Sequence, residues 1–494
     1  MKQVFTAFVG EPKQGKRACP VFMLCALTTA SLSAQTFTTL FSFDGGDGTV
    51  PYAALFQGTD GNFYGTTASG GANNAGTVFK MSPSGAHMTL YSFCSQSGCV
   101  DGQVPKAAVV QGTGGNFYGT TSRGGDIDEG TLFKITPAGT LTMLHSFCAQ
   151  VFYPCPDGTK PQAGLVQAAN GDFYGTAVFG GAVDTNFGTV FQITPTGTLT
   201  TLFMFDITDG AEPHAGLVQA TNGYFYGTTF TGGANGDFGT VFQITPSGAL
   251  TTLYSFCAQS GCTDGELPYA GLVQGTDGNF YGTTYQGGAS NSGTVFKITP
   301  AGTPTTLYSF CSQSGCTDGK LPYAGLVFAT DGKLYGTTYQ GGANNSGTVF
   351  QIAPTGAFTT LYSFCSQSGC TDGRLPYAGL VQGTDGKLYG TTKQGGTHCA
   401  PEGGCGTIFS LSVGLGPFVK TLPQSGQVGK VIENLGTDLT GATGVTFNGT
   451  PATFTVDART EITATVPTGA TTGGIQVTTP DGTLRSAGPF VVQP

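Results

Sequence analysis

The chain has 494 residues and a formal net charge of −9; only 10% of residues are charged, while Gly supplies 82 and Pro 26. So much backbone punctuation, with no useful run of apolar residues at helical spacing, excludes a helical protein and points to short strands between Gly-rich turns. The few basic residues exclude nucleic acid as a partner, and a dilute negative charge mainly serves solubility.

At the N-terminus, Lys13, Lys16 and Arg17 precede a mainly apolar run from Ala18 to Leu32, closed by Ser33-Ala34. That is the layout of a secretory signal peptide over residues 1–34, with cleavage after Ala34. The run falls short of the ~20 apolar residues that span a bilayer, so no transmembrane segment is expected in the mature chain. Removing it leaves 15 basic against 27 acidic residues, a net charge of −12. Two of the 14 cysteines go with it. The other 12 form close pairs: Cys94/Cys99, Cys148/Cys155, Cys257/Cys262, Cys311/Cys316, Cys365/Cys370 and Cys399/Cys405. On an exported chain they read as disulfides. The expected location is extracellular or the cell surface, with the periplasm as the alternative.

From residue 35 the chain repeats. Tyr-Gly-Thr recurs at Tyr64, Tyr118, Tyr174, Tyr226, Tyr281, Tyr335 and Tyr389, spaced by 52 to 56 residues. Within one unit, Gly271–Gln274, Phe280–Thr284, Gly293–Ile298 and Thr306–Phe310 read as four strands of an antiparallel meander. The first hairpin turns on Asp60-Gly61, Gly114-Gly115, Asn170-Gly171, Asn222-Gly223, Asp277-Gly278, Asp331-Gly332 and Asp385-Gly386, a set that suits a type I′ turn. Seven four-stranded units predict an all-β fold, a seven-bladed β-propeller over residues 35–413. A fourth-strand sequence, Thr38-Thr39-Leu40-Phe41-Ser42-Phe43, precedes the first unit, and the last unit lacks one. The N-terminal strand is therefore expected to close the ring, removing two open sheet edges; an open solenoid would need no displaced strand.

The cysteine pairs track loop length. From the last Phe of the fourth strand to the next Pro, the offset is 12 or 14 where a pair is present, and 8 at Phe43–Pro51 and Phe205–Pro213, which have none. A staple on a longer loop accounts for this, at roughly 2 kcal/mol for a six-residue ring. After a linker at 414–422, residues 423–494 alternate anew (Val445/Phe447, Phe454/Val456, Ile462/Ala464/Val466, Ile475/Val477), which predicts a small β-sandwich.

The unit Asp-Gly-x-x-Pro-x-Ala-Gly-Leu-Val-Gln-Gly-Thr-Asp-Gly-Asn-Phe-Tyr-Gly-Thr-Thr, followed by Gly-Thr-Val-Phe-Lys-Ile-Thr-Pro, resembles the Gloeobacter/Verrucomicrobia-type tandem repeat over about Thr36 to Ser412. The resemblance implies an exported bacterial protein and carries no settled activity. Pro423-x-Ser425-Gly426-x-Val428-Gly429, Phe447-Asn448-Gly449-Thr450-Pro451-Ala452 and Ile462-Thr463-Ala464-Thr465-Val466-Pro467 resemble an IPT/TIG module. That implies an immunoglobulin-like fold that spaces or presents other domains. The chain ends in Val491-Val492-Gln493-Pro494 rather than the hydrophobic tail of surface-anchored relatives.

No catalytic motif is legible: no nucleophilic Ser motif, phosphate loop or His-Glu zinc motif occurs, and around His398-Cys399, where Cys405 needs Cys399 as its disulfide partner, four suitable zinc ligands are not in view. Asp47, Asp101, Asp157, Asp209, Asp264, Asp318 and Asp372 precede the Pro of each unit; they read as turn residues, with a calcium-binding acidic mouth as the sharper alternative. No cofactor is expected otherwise. Two positions vary inside the fixed frame and should share one face of the propeller. One follows the Pro: Tyr52, Lys106, Gln162, His214, Tyr269, Tyr323 and Tyr377. The other follows Tyr-Gly-Thr-x: Ala68, Ser122, Val178, Phe230, Tyr285, Tyr339 and Lys393. Exposed tyrosines around a central opening suit sugar rings or extended peptides. The candidate ligand-binding residues are Tyr52, Lys106, Gln162, His214, Tyr269, Tyr323, Tyr377, Tyr285 and Tyr339. The expectation is a secreted, monomeric, non-enzymatic binding or scaffold protein, its partner an extracellular polysaccharide or a surface protein. The alternatives are a propeller-type lyase or glycosidase using Asp209 and Glu212, and a structural matrix protein.

Overall fold

The computed structural model describes residues 35–149, 154–182, 186–399 and 404–493; the expected leader at 1–34 lies outside them. Seven of its sheets are four-stranded antiparallel meanders built from the repeat. In the first blade the strands are Phe56–Gln57, Phe63–Thr67, Thr77–Met81 and His87–Ser92, counted from the axis outwards. In the seventh, Val381–Gln382, Leu388–Thr392 and Thr407–Ser412 are completed by the N-terminal strand Thr36–Ser42. That strand runs antiparallel from Thr36↔Ser412 to Ser42↔Thr407, with a bulge between Thr39 and Phe41. The displaced strand thus fills the gap and covers the outer edge of Thr407–Ser412, becoming the outermost strand of the seventh blade.

The core lies between blades rather than within them. Each buried cluster draws on two neighbours. Tyr64, Val78 and Phe93 of the first blade meet Phe117 and Phe133 of the second. Tyr389 and Ile408 of the seventh, with the adjoining Phe43, meet Phe63 and Phe79 of the first. In five joints the tyrosine of Tyr-Gly-Thr packs its ring on the next blade's Phe, at 3.9 Å for Tyr64–Phe117, 4.0 Å for Tyr226–Phe280 and 4.1 Å for Tyr389–Phe63, while Tyr281 and Tyr335 share their clusters with Leu334 and Leu388. Each such pair contributes about 1 kcal/mol beyond its buried area. The threonine that follows donates to the neighbour's inner loop: Thr66 Oγ1 to Ala107 O at 2.9 Å, Thr283 Oγ1 to Ala324 O at 3.0 Å, Thr337 Oγ1 to Ala378 O at 3.0 Å. Tyr-Gly-Thr is the inter-blade joint.

Two local expectations are corrected. The innermost strand spans two residues (Val273–Gln274 in the fifth blade), not the four from Gly271. Near the axis the backbone abuts the neighbouring blade instead, so that a Cβ on Gly271 would lie 3.0 Å from Gly216 O. The first hairpin turn is not type I′. Gly58 O accepts from Gly61 N at 2.9 Å and Gly58 N donates to Asn62 O at 2.9 Å, with Gly61 at φ 78° and Asp60 outside the left-handed region. This is a type I turn closed by a glycine bulge. It frees the Asp side chain to accept from the joint tyrosine, Tyr64 Oη to Asp60 Oδ2 at 2.9 Å.

Beyond the repeat, two four-stranded sheets enclose one core, in which Ile432, Ile462 and Ala464 face Val445, Phe447, Ile475 and Val477. Val456, expected inside, is 36% exposed because its strand, Phe454–Ala458, is an edge. This layer sits on the first hairpin turns of the blades. Thr460 Oγ1 donates to Thr59 O at 3.0 Å, Phe418 N to Thr384 O at 3.0 Å, and the Thr384 and Thr437 hydroxyls lie 2.8 Å apart. The buried Lys420 ammonium donates to the Gln382 carbonyl.

Candidate binding face

Strand direction brings two kinds of loop to the opposite end: the crossovers from each outer strand, and the links between second and third strands. Antiparallel bridges tie them together, including Thr49↔Ser69, Gln103↔Arg123, Glu266↔Gln286, Lys320↔Gln340 and Arg374↔Gln394. All six cysteine pairs are bonded, Cys94–Cys99, Cys148–Cys155, Cys257–Cys262, Cys311–Cys316, Cys365–Cys370 and Cys399–Cys405, so His398-Cys399 offers no free thiolate.

The seven aspartates do not line an axial mouth. Asp101, Asp264, Asp318 and Asp372 are buried and spend their oxygens within their own crossovers. Asp318 accepts from Tyr308 Oη at 2.8 Å and from Ser312 N and Oγ at 2.9 Å. Asp157 meets His145 Nε2 at 3.0 Å, which explains why His replaces Tyr in that outer strand. Asp47 and Asp209 accept from Asp44 N and Asp206 N, each at 3.0 Å. Crossover geometry and outer-strand anchoring account for this position.

At the axis the residues after the Pro converge. His214 stacks on Tyr269 at 4.6 Å, Tyr269 meets Tyr323 edge-on at 5.3 Å, Tyr323 stacks on Tyr377 at 4.5 Å, and Tyr377 meets Tyr52 edge-on at 4.7 Å. Tyr269 also touches Tyr377 at 5.9 Å, two blades away. Tyr285 and Tyr339 pack on Tyr323 at 4.4 and 5.1 Å. These rings are half-buried, not the exposed tyrosines expected, because seven inward loops crowd a narrow axis. Burial raises the pKa of Tyr269, Tyr323 and Tyr377 above the usual phenol value, so their phenols stay neutral donors. Lys106 and Gln162 stand apart from the rings and pair with each other, Nζ to Oε1 at 3.3 Å.

Of the second variable set, Ala68, Ser122 and Val178 are buried, and Phe230 packs edge-on against His214 at 5.4 Å. Lys393 lies over the rings of Tyr52 and Tyr339, at 5.2 and 5.9 Å. Its place on the face was legible as the one charge at a position otherwise filled by Ala, Ser, Val, Phe or Tyr. Glu212 turns to His214, Oε2 to Nε2 at 3.6 Å, whereas Asp209 faces its own loop; the two do not form a facing carboxylate pair.

The profile of the Gloeobacter/Verrucomicrobia repeat matches residues 25–155, 150–326 and 261–456. No curated protein matches the chain. Among solved structures, the extracellular domain of a hybrid two-component system from B. thetaiotaomicron aligns with a TM-score of 0.49 at 10% identity, covering 92% of this chain and 58% of its own. Puromycin hydrolase aligns at 0.47 and 12%, covering 80% of this chain and 59% of its own. A 6-phosphogluconolactonase-type protein from Bacteroides uniformis aligns at 0.40 and 15%, covering 68% and 95%. Likeness of this size concerns architecture alone.

Proposed function

The chain belongs to the Gloeobacter/Verrucomicrobia repeat family, and we propose that it is an exported, non-enzymatic glycan-binding protein whose site is the tyrosine-lined end of the propeller. The observation that carries this is the cluster of Tyr52, Tyr269, Tyr323 and Tyr377 at the axis, flanked by Tyr285, Tyr339 and His214. Aromatic faces stack on the apolar faces of sugar rings, and neutral phenols offer hydroxyls to sugar hydroxyls. Six disulfides and the leader pattern support export. The C-terminal sandwich, in the immunoglobulin-like reading, spaces or presents the propeller from its other end.

The test is retention of the mature protein, Gln35–Pro494, on a panel of polysaccharides, with supernatants scored for released sugar. Retention without release is expected. The triple variant Tyr269→Ala, Tyr323→Ala, Tyr377→Ala is expected to weaken it at least about tenfold, since each stacked ring is worth about 1 kcal/mol. Retention on no polysaccharide would overturn the glycan reading and point to a protein partner. A hydrolytic reading draws on Glu212 beside His214; it requires released sugar that disappears in Glu212→Gln.

A further inference from the structure

We propose that the ligand of this face is an anionic polysaccharide, gripped by a cationic sector that the seventh, second and third blades contribute beside the tyrosines. The inference rests on the glycan reading above and names its ligand class.

The chain is acidic, with 19 basic against 28 acidic residues. Yet Lys106, Arg123, Lys160, Lys320, Arg374 and Lys393 all belong to loops of the tyrosine end. How they are neutralised sets them apart. At the opposite end Lys80, Lys333 and Lys387 each face a turn aspartate, at 2.7, 3.3 and 3.4 Å. At the tyrosine end, Lys160 has Glu129 at 3.9 Å. Lys106 has the neutral Gln162 amide, Lys393 has two aromatic faces, and the Arg374 Nε is buried without a hydrogen-bond partner among the described residues. Burial and the nearby charges of Arg123 and Lys160 lower the Lys106 pKa, so Lys106 sits among like charges, with Glu129 beside Lys160 the one carboxylate within 4 Å of this group among the described residues.

Holding unpaired cations together is unfavourable unless an anion arrives. The opposite sector carries Glu212 and Glu266, while Asp126, Asp128 and Glu129 share the loop of Arg123, where Asp128 is taken up by the Gln103 amide and the Gly124 N–H. A glycan with charged substituents satisfies both features: ring faces lie on the tyrosines, and carboxylates or sulfates meet the lysines and arginines. Carboxylate and sulfate share this chemistry, and separate probes distinguish them.

The experiment compares binding of the mature protein to dextran, dextran sulfate, polygalacturonate and fully methyl-esterified polygalacturonate. Binding is expected to dextran sulfate, polygalacturonate or both, at least about tenfold tighter than to the uncharged counterpart, and to weaken as salt rises from 50 to 500 mM. Binding of one anionic polymer alone identifies which substituent is read. The variant Lys106→Gln, Arg123→Gln, Lys160→Gln is expected to lose at least tenfold, whereas Lys333→Gln, Lys387→Gln binds as the parent. Should the triple variant fail to fold, Lys393→Gln alone should weaken binding and flatten its salt dependence. Equal binding of charged and uncharged polymers, or anion binding that survives these variants, would overturn the inference while leaving the glycan reading intact. No binding to any polymer would sink both.

Discussion

Gly282 shows how narrowly a single residue can be constrained in this fold. A Cβ there would lie 2.7 Å from Phe296 Cζ and 2.9 Å from Leu272 Cδ2, because the third-strand phenylalanine lies across the second strand. Gly282→Ala is expected to cost about 1–3 kcal/mol by overpacking, read by urea unfolding. His87 is a different case. It stacks on Phe41 at 4.1 Å at the seam where the seventh blade meets the first, its Nε2 has no partner among the described residues, and burial depresses its pKa to about 4. The unfolded chain binds this proton more tightly than the folded one, so stability is lost as pH falls from about 6.5 to about 4. His87→Phe should flatten that limb of a melting-temperature profile against pH; an unchanged limb would refute the assignment. At this scale the sequence was partly legible. The Asp/Asn-Gly turns were found, but a type I′ turn and a type I turn with a glycine bulge accept the same residues. They differ in the φ of the Asp, and hence in whether its carboxylate reaches the joint tyrosine.

Among elements, the N-terminal strand and the stapled crossovers stabilise in different ways. Phe37 stacks on Tyr362 at 4.0 Å and packs on Phe409 at 5.2 Å, so the strand that closes the ring is also wedged between the sixth and seventh blades. Phe37→Ala is expected to cost about 3–5 kcal/mol. Removing one staple, Cys311→Ala with Cys316→Ala, should cost only about 2 kcal/mol, because it releases a short loop already held by Asp318. Equilibrium unfolding of the two variants side by side checks the order. The staples and the displaced strand were legible because each leaves a linear trace: paired cysteines that follow loop length, and one fourth-strand sequence out of place. The two-residue inner strand left none, since Gly-Leu-Val-Gln alternates as well as any longer strand, and only the approach of the next blade's carbonyl decides where the ladder stops.

Over the whole molecule, the C-terminal sandwich and the tyrosines occupy opposite ends of the propeller. The sandwich is seated on the first hairpin turns through Thr460, Phe418, Thr437 and Lys420. Lys420→Met should remove the ammonium–carbonyl bond and speed hydrogen exchange at Thr384 and Gly386, while leaving exchange at the tyrosine end unchanged. Faster exchange at both ends would mean that the two are coupled. The repeat period, the hydrophobic strands and the cysteine spacing by themselves determined the all-β class, the propeller and the pairing of the thiols, because each depends on contacts that recur at a fixed distance along the chain. Only the tertiary structure decided that the tyrosines touch across the axis, that the aspartates turn to their own crossovers and outer strands, and which basic residues lack a carboxylate. Those facts depend on side chains from different blades meeting in space, and a period in sequence fixes which loops share an end but not how closely their tips converge.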